Sequence, residues 1–139
     1  MTQGDRITPL VNEHKNIMNQ LDRVRNAMMV SPRQSRGKPG ESIDVLRSMV
    51  EAHLLNEEAA IYEPLRLRLG RNGPIDTMTR EHRSIRQGLG RLLSASDEYG
   101  TGRTRIGDLQ SCFDSLQKEI GQHMEKEERI LFWLADLKL

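Results

Sequence analysis

The chain has 139 residues, a formal net charge of +1 and only 4% aromatic residues. That length suits one domain, residues 1–139, with a single continuous core, and near-neutrality gives no general case for a nucleic-acid or membrane partner. A single cysteine, Cys112, excludes an internal disulfide and fits a reducing compartment. No apolar run approaches membrane-span length and Met1-Thr2-Gln3-Gly4-Asp5-Arg6 does not read as a signal peptide, so a cytoplasmic protein is expected.

Four amphipathic segments separated by three breaks predict an all-α fold. The first covers about residues 8–30, with Thr8 as its cap and Pro9 at the first helical position. Its apolar stripe is Leu10, Ile17, Leu21, Val24 and Met28, and His14 lies within it. Ser31-Pro32 through Lys38-Pro39-Gly40 reads as a loop. The second segment, about residues 41–69, stops at Gly70, a natural C-terminal cap. Leu46, Met49, Val50, Ile61 and Leu65 share its inner face with His53 and Glu57, and Pro64 predicts a kink. Arg71-Asn72-Gly73-Pro74 reads as a compact turn. The third segment runs to about residue 98, with Met78, Ile85, Leu89 and Leu92 beside His82, and Tyr99-Gly100-Thr101-Gly102 ends it. The fourth, about residues 104–137, aligns Leu109, Phe113, Leu116, Ile120, Ile130 and Leu134 with His123 and Glu127. Short connections make sequence neighbours antiparallel, which predicts an up-down-up-down four-helix bundle.

The chain has four histidines, one on the apolar stripe of each segment. His14 and His82 sit in Glu-His-x-x-Ile contexts. His53 and His123 each begin a His-x-x-x-Glu-Glu run, so the second half repeats the first about 70 residues on. Residues four apart on a helix differ by about 40° in direction and one turn in height. His53 with Glu57, and His123 with Glu127, can therefore each present an imidazole and a carboxylate to one point. Glu58 and Glu128 lie about 140° around and are expected to point away, although a distortion of the fourth helix could bring in Glu128 in place of Glu127. A lone histidine on such a stripe is more often a satisfied core residue, and a lone His-x-x-x-Glu is a common surface pair. The whole histidine complement on inward stripes, with two carboxylates whose burial would cost several kcal/mol each without cations, points to metal.

Two ions with about six positions each need about twelve donors. Four imidazoles and two bridging carboxylates supply eight, leaving places for water, an oxo or hydroxo bridge and an exogenous molecule. Imidazole with carboxylate at that coordination number suits two iron ions ahead of manganese or zinc.

His-Leu-Leu-Asn-Glu-Glu-Ala-Ala-Ile-Tyr-Glu-Pro from His53 and His-Met-Glu-Lys-Glu-Glu-Arg-Ile-Leu-Phe from His123 resemble the two signature segments of the hemerythrin-like (HHE cation-binding) family, over nearly the whole chain. The resemblance implies a four-helix bundle around an oxo-bridged di-iron centre spanned by two carboxylates. Carried over by position, the ligands are His14, His53, Glu57, His82, His123 and Glu127. Oxygen-carrying members have a fifth histidine four residues from the one on helix three; here those positions are Met78 and Arg86, which weakens the case for reversible oxygen storage. The set of four histidines and two glutamates is more similar to the domain of iron–sulfur repair proteins and of iron- or oxygen-sensing regulators.

Around this site, Tyr62 reads as a partly exposed packing residue ahead of a neighbour to the ligands. Glu13 and Glu81 read as helix-to-helix ion pairs, with orientation of an imidazole as the alternative. Phe132 and Trp133 are expected to pack the carboxy-terminal end of the bundle, Cys112 to be a buried thiol, and the arginines between Arg66 and Arg105 to form a solvated face. The leading functional expectation is a di-iron protein that binds or reacts with oxygen, nitric oxide or peroxide, with an external electron donor or partner protein. The alternatives are an iron- or oxygen-responsive sensing module, an iron donor or store for iron–sulfur repair, and, remotely, a metal-free interaction bundle.

Overall fold

Apolar residues recur at three- and four-residue spacing along four stretches, and each stretch is helical in the computed structural model, which describes residues 3–29, 37–70 and 73–139. Helix α1 is Gln3–Met28. Helix α2 covers residues 38–69 as an α-helix Lys38–Glu57, a π-helical turn Glu58–Tyr62 and an α-helical end Glu63–Leu69. Helix α3 is Pro74–Gly100. Helix α4 covers residues 106–138 in the same three-part form: Ile106–Lys126, a π-helical turn Glu127–Leu131, and Phe132–Lys138. Gly70 and Gly102 take positive φ angles of 79° and 75° just past the ends of α2 and α3, where a side chain would be strained.

Two apolar clusters fix the directions of the helices. At one end, Val24 and Met28 late in α1 meet Ile43 and Leu46 early in α2, with Tyr99 late in α3 and Leu109 early in α4. At the other, Leu10 early in α1 meets Leu65 late in α2, Ile75 early in α3 and Phe132 and Ala135 late in α4. Starts pack beside ends throughout, so the helices run up, down, up and down. The four histidines and two glutamates lie in the gap between the two clusters. No helix among the described residues is long and apolar enough to cross a membrane.

Several expectations shift. Helix α1 begins near residue 3, so Pro9 stands inside it rather than at its first position; Pro9 is exposed, where water can satisfy the carbonyl that loses its partner. Helix α2 begins at Lys38 with Pro39 in its first turn, which makes residues 38–40 helical rather than loop. Counted from the observed ends at about 1.5 Å per residue, His14 and His53 lie about 21 and 22 Å from the α1–α2 connection, the same level. Val30, the remainder of that loop, and Arg71 and Asn72 of the compact turn lie outside the described residues. The interruption near Pro64 takes the form of a π turn just before it.

The second π turn alters the core. A π turn holds one residue more than the α-helical turn it replaces, which moves the inward register on by one. Leu131, Phe132 and Ala135 are therefore buried, whereas Ile130 is 46% exposed and Leu134 is half-buried. Trp133 is 62% exposed and packs no end of the bundle. Cys112 is half-buried, in contact with the larger cluster.

Adjacent residues of α2 provide a control for this packing. Leu46 is fully buried and Val45 is 49% exposed. In metal-free protein, Leu46→Ala is expected to cost about 2–5 kcal/mol and Val45→Ala less than about 0.5 kcal/mol, read from urea midpoints; equal losses would place the core elsewhere.

Candidate metal centre

Each helix brings one imidazole to the gap between the clusters, and α2 and α4 bring a carboxylate each, four residues after the histidine. His14, His53, His82 and His123 are at most 3% exposed, and Glu57 and Glu127 are 0% exposed. The six fall into two overlapping groups: His14, His53, Glu57 and Glu127, and His82, His123, Glu57 and Glu127. Within each group, one ligand atom per residue lies within 4.8 Å of the others.

The two carboxylates join the groups. Glu57 places Oε2 3.1 Å from His14 Nε2 and 3.0 Å from His53 Nε2, and Oε1 3.1 Å from His82 Nε2. Glu127 places Oε1 3.2 Å from His14 Nε2, and Oε2 3.2 Å from His123 Nε2 and 3.7 Å from His82 Nε2. Each carboxylate thus turns one oxygen to one histidine pair and its other oxygen to the second pair. His53 Nε2 and Glu127 Oε1 are buried and lack any hydrogen-bond partner, although buried polar atoms are normally satisfied. A cation between them would satisfy both, so the residues fit a metal pair.

A ring of four further glutamates lies outside the imidazoles. His53 Nδ1–H donates to Glu13 at 2.6 Å, and His123 Nδ1–H to Glu81 at 2.8 Å. His82 Nδ1–H donates to Glu58 at 2.8 Å, and His14 Nδ1–H to Glu128 at 2.8 Å. An ionised carboxylate only accepts, so each fixes the proton on Nδ1 and turns Nε2 toward the centre. Glu13 and Glu81 therefore both take the orienting role, and Glu81 also makes the expected helix-to-helix ion pair, with Lys126 at 2.7 Å. Glu58 and Glu128 do turn away from the centre, and they reach an imidazole on the neighbouring helix. Glu127, not Glu128, faces inward. Arg86 also departs from the solvated-face expectation, since its Nη1 and Nη2 donate to Glu58 at 3.0 and 3.1 Å.

Tyr62 is the residue that the sequence undervalued. It is buried, stacks on the His82 ring with centroids 4.5 Å apart, and donates its hydroxyl to Glu127 Oε2 at 2.6 Å. The hydroxyl oxygen also lies 2.8 Å from His82 Nε2. The signal was its position nine residues after His53, which matches that of Phe132 after His123; Phe132 in turn stacks on the His14 ring. Beside His53 a pocket of about 200 Å³ opens between α1 and α2, lined by Glu13, Met49, Ala52 and Asn56 among others.

Crowding of these groups sets the electrostatics. Desolvation pulls the His14 pKa down, but hydrogen bonds to Glu127, Glu57 and Glu128 outweigh it and raise it to about 10. His82, opposed by the same desolvation and favoured by Glu127, Glu57 and Glu58, rises to about 9. Burial is the largest influence on Glu127 and favours its neutral form, yet His123, His14 and His82 together hold its pKa well below the usual carboxylate range. Burial and the carboxylates of Glu127 and Glu57 push the Tyr62 phenol far up. Without metal, imidazolium charge on His14 and His82 opposes the buried Glu127 carboxylate.

Because the folded pKa values of His14 and His82 lie above the unfolded value near 6.5, their stabilisation is complete below about pH 6.5 and is lost as pH rises through about 9 to 10. Urea midpoints of chelator-treated protein are expected to fall between pH 6.5 and 10, and a flat or rising profile contradicts the assignment. Divalent cation uptake at pH 7 must displace those protons, so calorimetry in buffers of different ionisation enthalpy is expected to show proton release.

Residues 5–135 match the Hemerythrin HHE cation binding domain. No curated protein and no solved structure matches the chain. A family match over nearly the full length, on a four-helix bundle with two buried histidine–carboxylate groups at its centre, shows that the chain belongs to the hemerythrin HHE cation-binding family.

Proposed function

We propose that the chain is a non-haem di-iron protein that binds or reacts with a small ligand: oxygen, nitric oxide or peroxide. The observation that carries this reading is the sharing of Glu57 and Glu127 between two buried histidine pairs. In this reading His14 and His53 would hold one ion and His82 and His123 the other, with Glu57 and Glu127 available to both. Eight protein donor atoms from six residues, against about twelve positions, leave places open, which suits iron ahead of manganese or zinc and a reactive centre ahead of a purely structural one. Two irons held this way would supply the electrons with which such ligands are bound or reduced.

The remaining roles belong to the chain itself. The apolar clusters above and below exclude bulk water, and the pocket beside His53 gives a small ligand a short approach. Tyr62 holds a proton at its phenol oxygen within hydrogen-bond reach of Glu127 and His82, which suits it to donate that proton to a bound ligand. Repeated turnover takes an external electron donor, except with peroxide, which serves as both oxidant and reductant. A single, unpaired cysteine supports a reducing, cytoplasmic setting. A second reading, an iron-responsive module or an iron donor or store, draws on the origin of the donors: all four helices contribute, so loss of metal loosens the whole bundle.

Protein purified with iron is expected to hold two ions per chain, and Glu57→Ala or Glu127→Ala fewer than one. Anaerobically reduced protein is expected to gain near-ultraviolet absorption on exposure to air; iron-loaded protein without that change contradicts the di-iron reading. Tyr62→Phe is expected to keep both ions but to slow the stopped-flow reaction with peroxide about 10²-fold or more. An unchanged rate removes Tyr62 from proton transfer.

A further inference from the structure

The repeat that builds the centre is not complete. Glu13 accepts from His53 as Glu81 accepts from His123, and Glu58 accepts from His82 as Glu128 accepts from His14. The halves match in ligands and in outer carboxylates, yet three equivalent positions differ. Three residues after the histidine stand Asn56 on α2 and Lys126 on α4. Asn56 donates to Glu13 at 3.0 Å, whereas Lys126 pairs with Glu81 at 2.7 Å. Four residues after the histidine stand Met18 on α1 and Arg86 on α3. Met18 is 42% exposed, whereas Arg86 forks onto both oxygens of Glu58. Nine residues after the histidine stand Tyr62 and Phe132, so the hydroxyl lies on the His82–His123 side and a bare ring on the His14 side.

All three differences act in one direction. Around His82 and His123 each outer carboxylate is neutralised by a cation, and the Tyr62 hydroxyl already partners the inner atoms. Around His14 and His53, neither Glu13 nor Glu128 has an arginine or lysine within ion-pair distance among the described residues. The two orphaned buried atoms, His53 Nε2 and Glu127 Oε1, face that same position. A divalent cation there meets two uncompensated outer charges and two unsatisfied inner donors.

We infer that the two metal positions are unequal, that the His14–His53 position fills first, and that Arg86 and Lys126 are positioning residues that set this order. The inference rests on the two-metal reading and adds which position is the tighter. Arg86 and Lys126 are 38% and 51% exposed, so their influence is screened by solvent and amounts to about tenfold in affinity rather than a larger factor. It should shrink in high salt.

The test uses cobalt(II) as probe, one equivalent per chain, with its position read from anomalous diffraction of the crystallised full chain. Wild type is expected to show occupancy at His14–His53 about tenfold above that at His82–His123. The exchange Arg86→Met with Lys126→Asn, which copies the first half onto the second, is expected to bring the two occupancies within about twofold. The reverse exchange, Met18→Arg with Asn56→Lys, is expected to lower occupancy at His14–His53. All four residues are exposed or near-exposed, and circular dichroism checks that each variant keeps its fold. Equal occupancy in wild type, preference for His82–His123, or a ratio unmoved by both exchanges overturns the inference while leaving the two-metal reading in place. No cobalt and no iron bound at all overturns both.

Discussion

Two fully buried carboxylates govern this structure. Glu57 and Glu127 have no exposed surface, and an isolated carboxylate in such a place would cost several kcal/mol. The chain surrounds them with all of its histidines and then surrounds those imidazoles with four more glutamates. Charge therefore alternates outward from the centre: carboxylate, imidazole, carboxylate, and on one side a cation. Each layer is satisfied by the next, which is how a bundle of four helices tolerates so much polarity in its middle.

The same layers tie the helices together. Glu13 on α1 holds an imidazole of α2, Glu58 on α2 holds one of α3, Glu81 on α3 holds one of α4, and Glu128 on α4 holds one of α1. The circuit closes around the bundle. Residues that orient the donors are thus also residues that fix helix against helix, and the geometry of the site cannot drift without loosening these contacts. Rigidity of the donors and stability of the fold are the same property here.

Much of this was legible in the residues. Spacing alone placed His14, His53, His82 and His123 on inward stripes, and the four-residue interval put Glu57 and Glu127 beside two of them. The bundle followed from four periodic segments and short breaks. What spacing could not show is contact between helices. Glu13 and Glu81 are one residue from a histidine, about 100° away on their own helix, and their targets belong to the next helix. A regular α-helix would leave Tyr62 at the periphery and put Ile130 and Leu134 inside; the π turns reverse this for Tyr62 and Ile130 and leave Leu134 half-buried. The π turns carry no strong sequence signature: both begin in a Glu-Glu pair, but so do ordinary helical turns. Pro39 and Pro9 misled the boundaries because proline is accommodated both in a first turn and on a solvent-facing side.

Those two turns bear on how the molecule could change in length. Elsewhere in α2 and α4, loss of one residue would swing every later side chain about 100° around the axis and bring the polar flank into the interior. At residues 59–61 or 129–131, between the groups that serve the centre, the wide turn can instead relax to an ordinary one and absorb the loss, leaving the later residues in phase. Each even-numbered helix therefore carries a built-in slack link just past its inward glutamate.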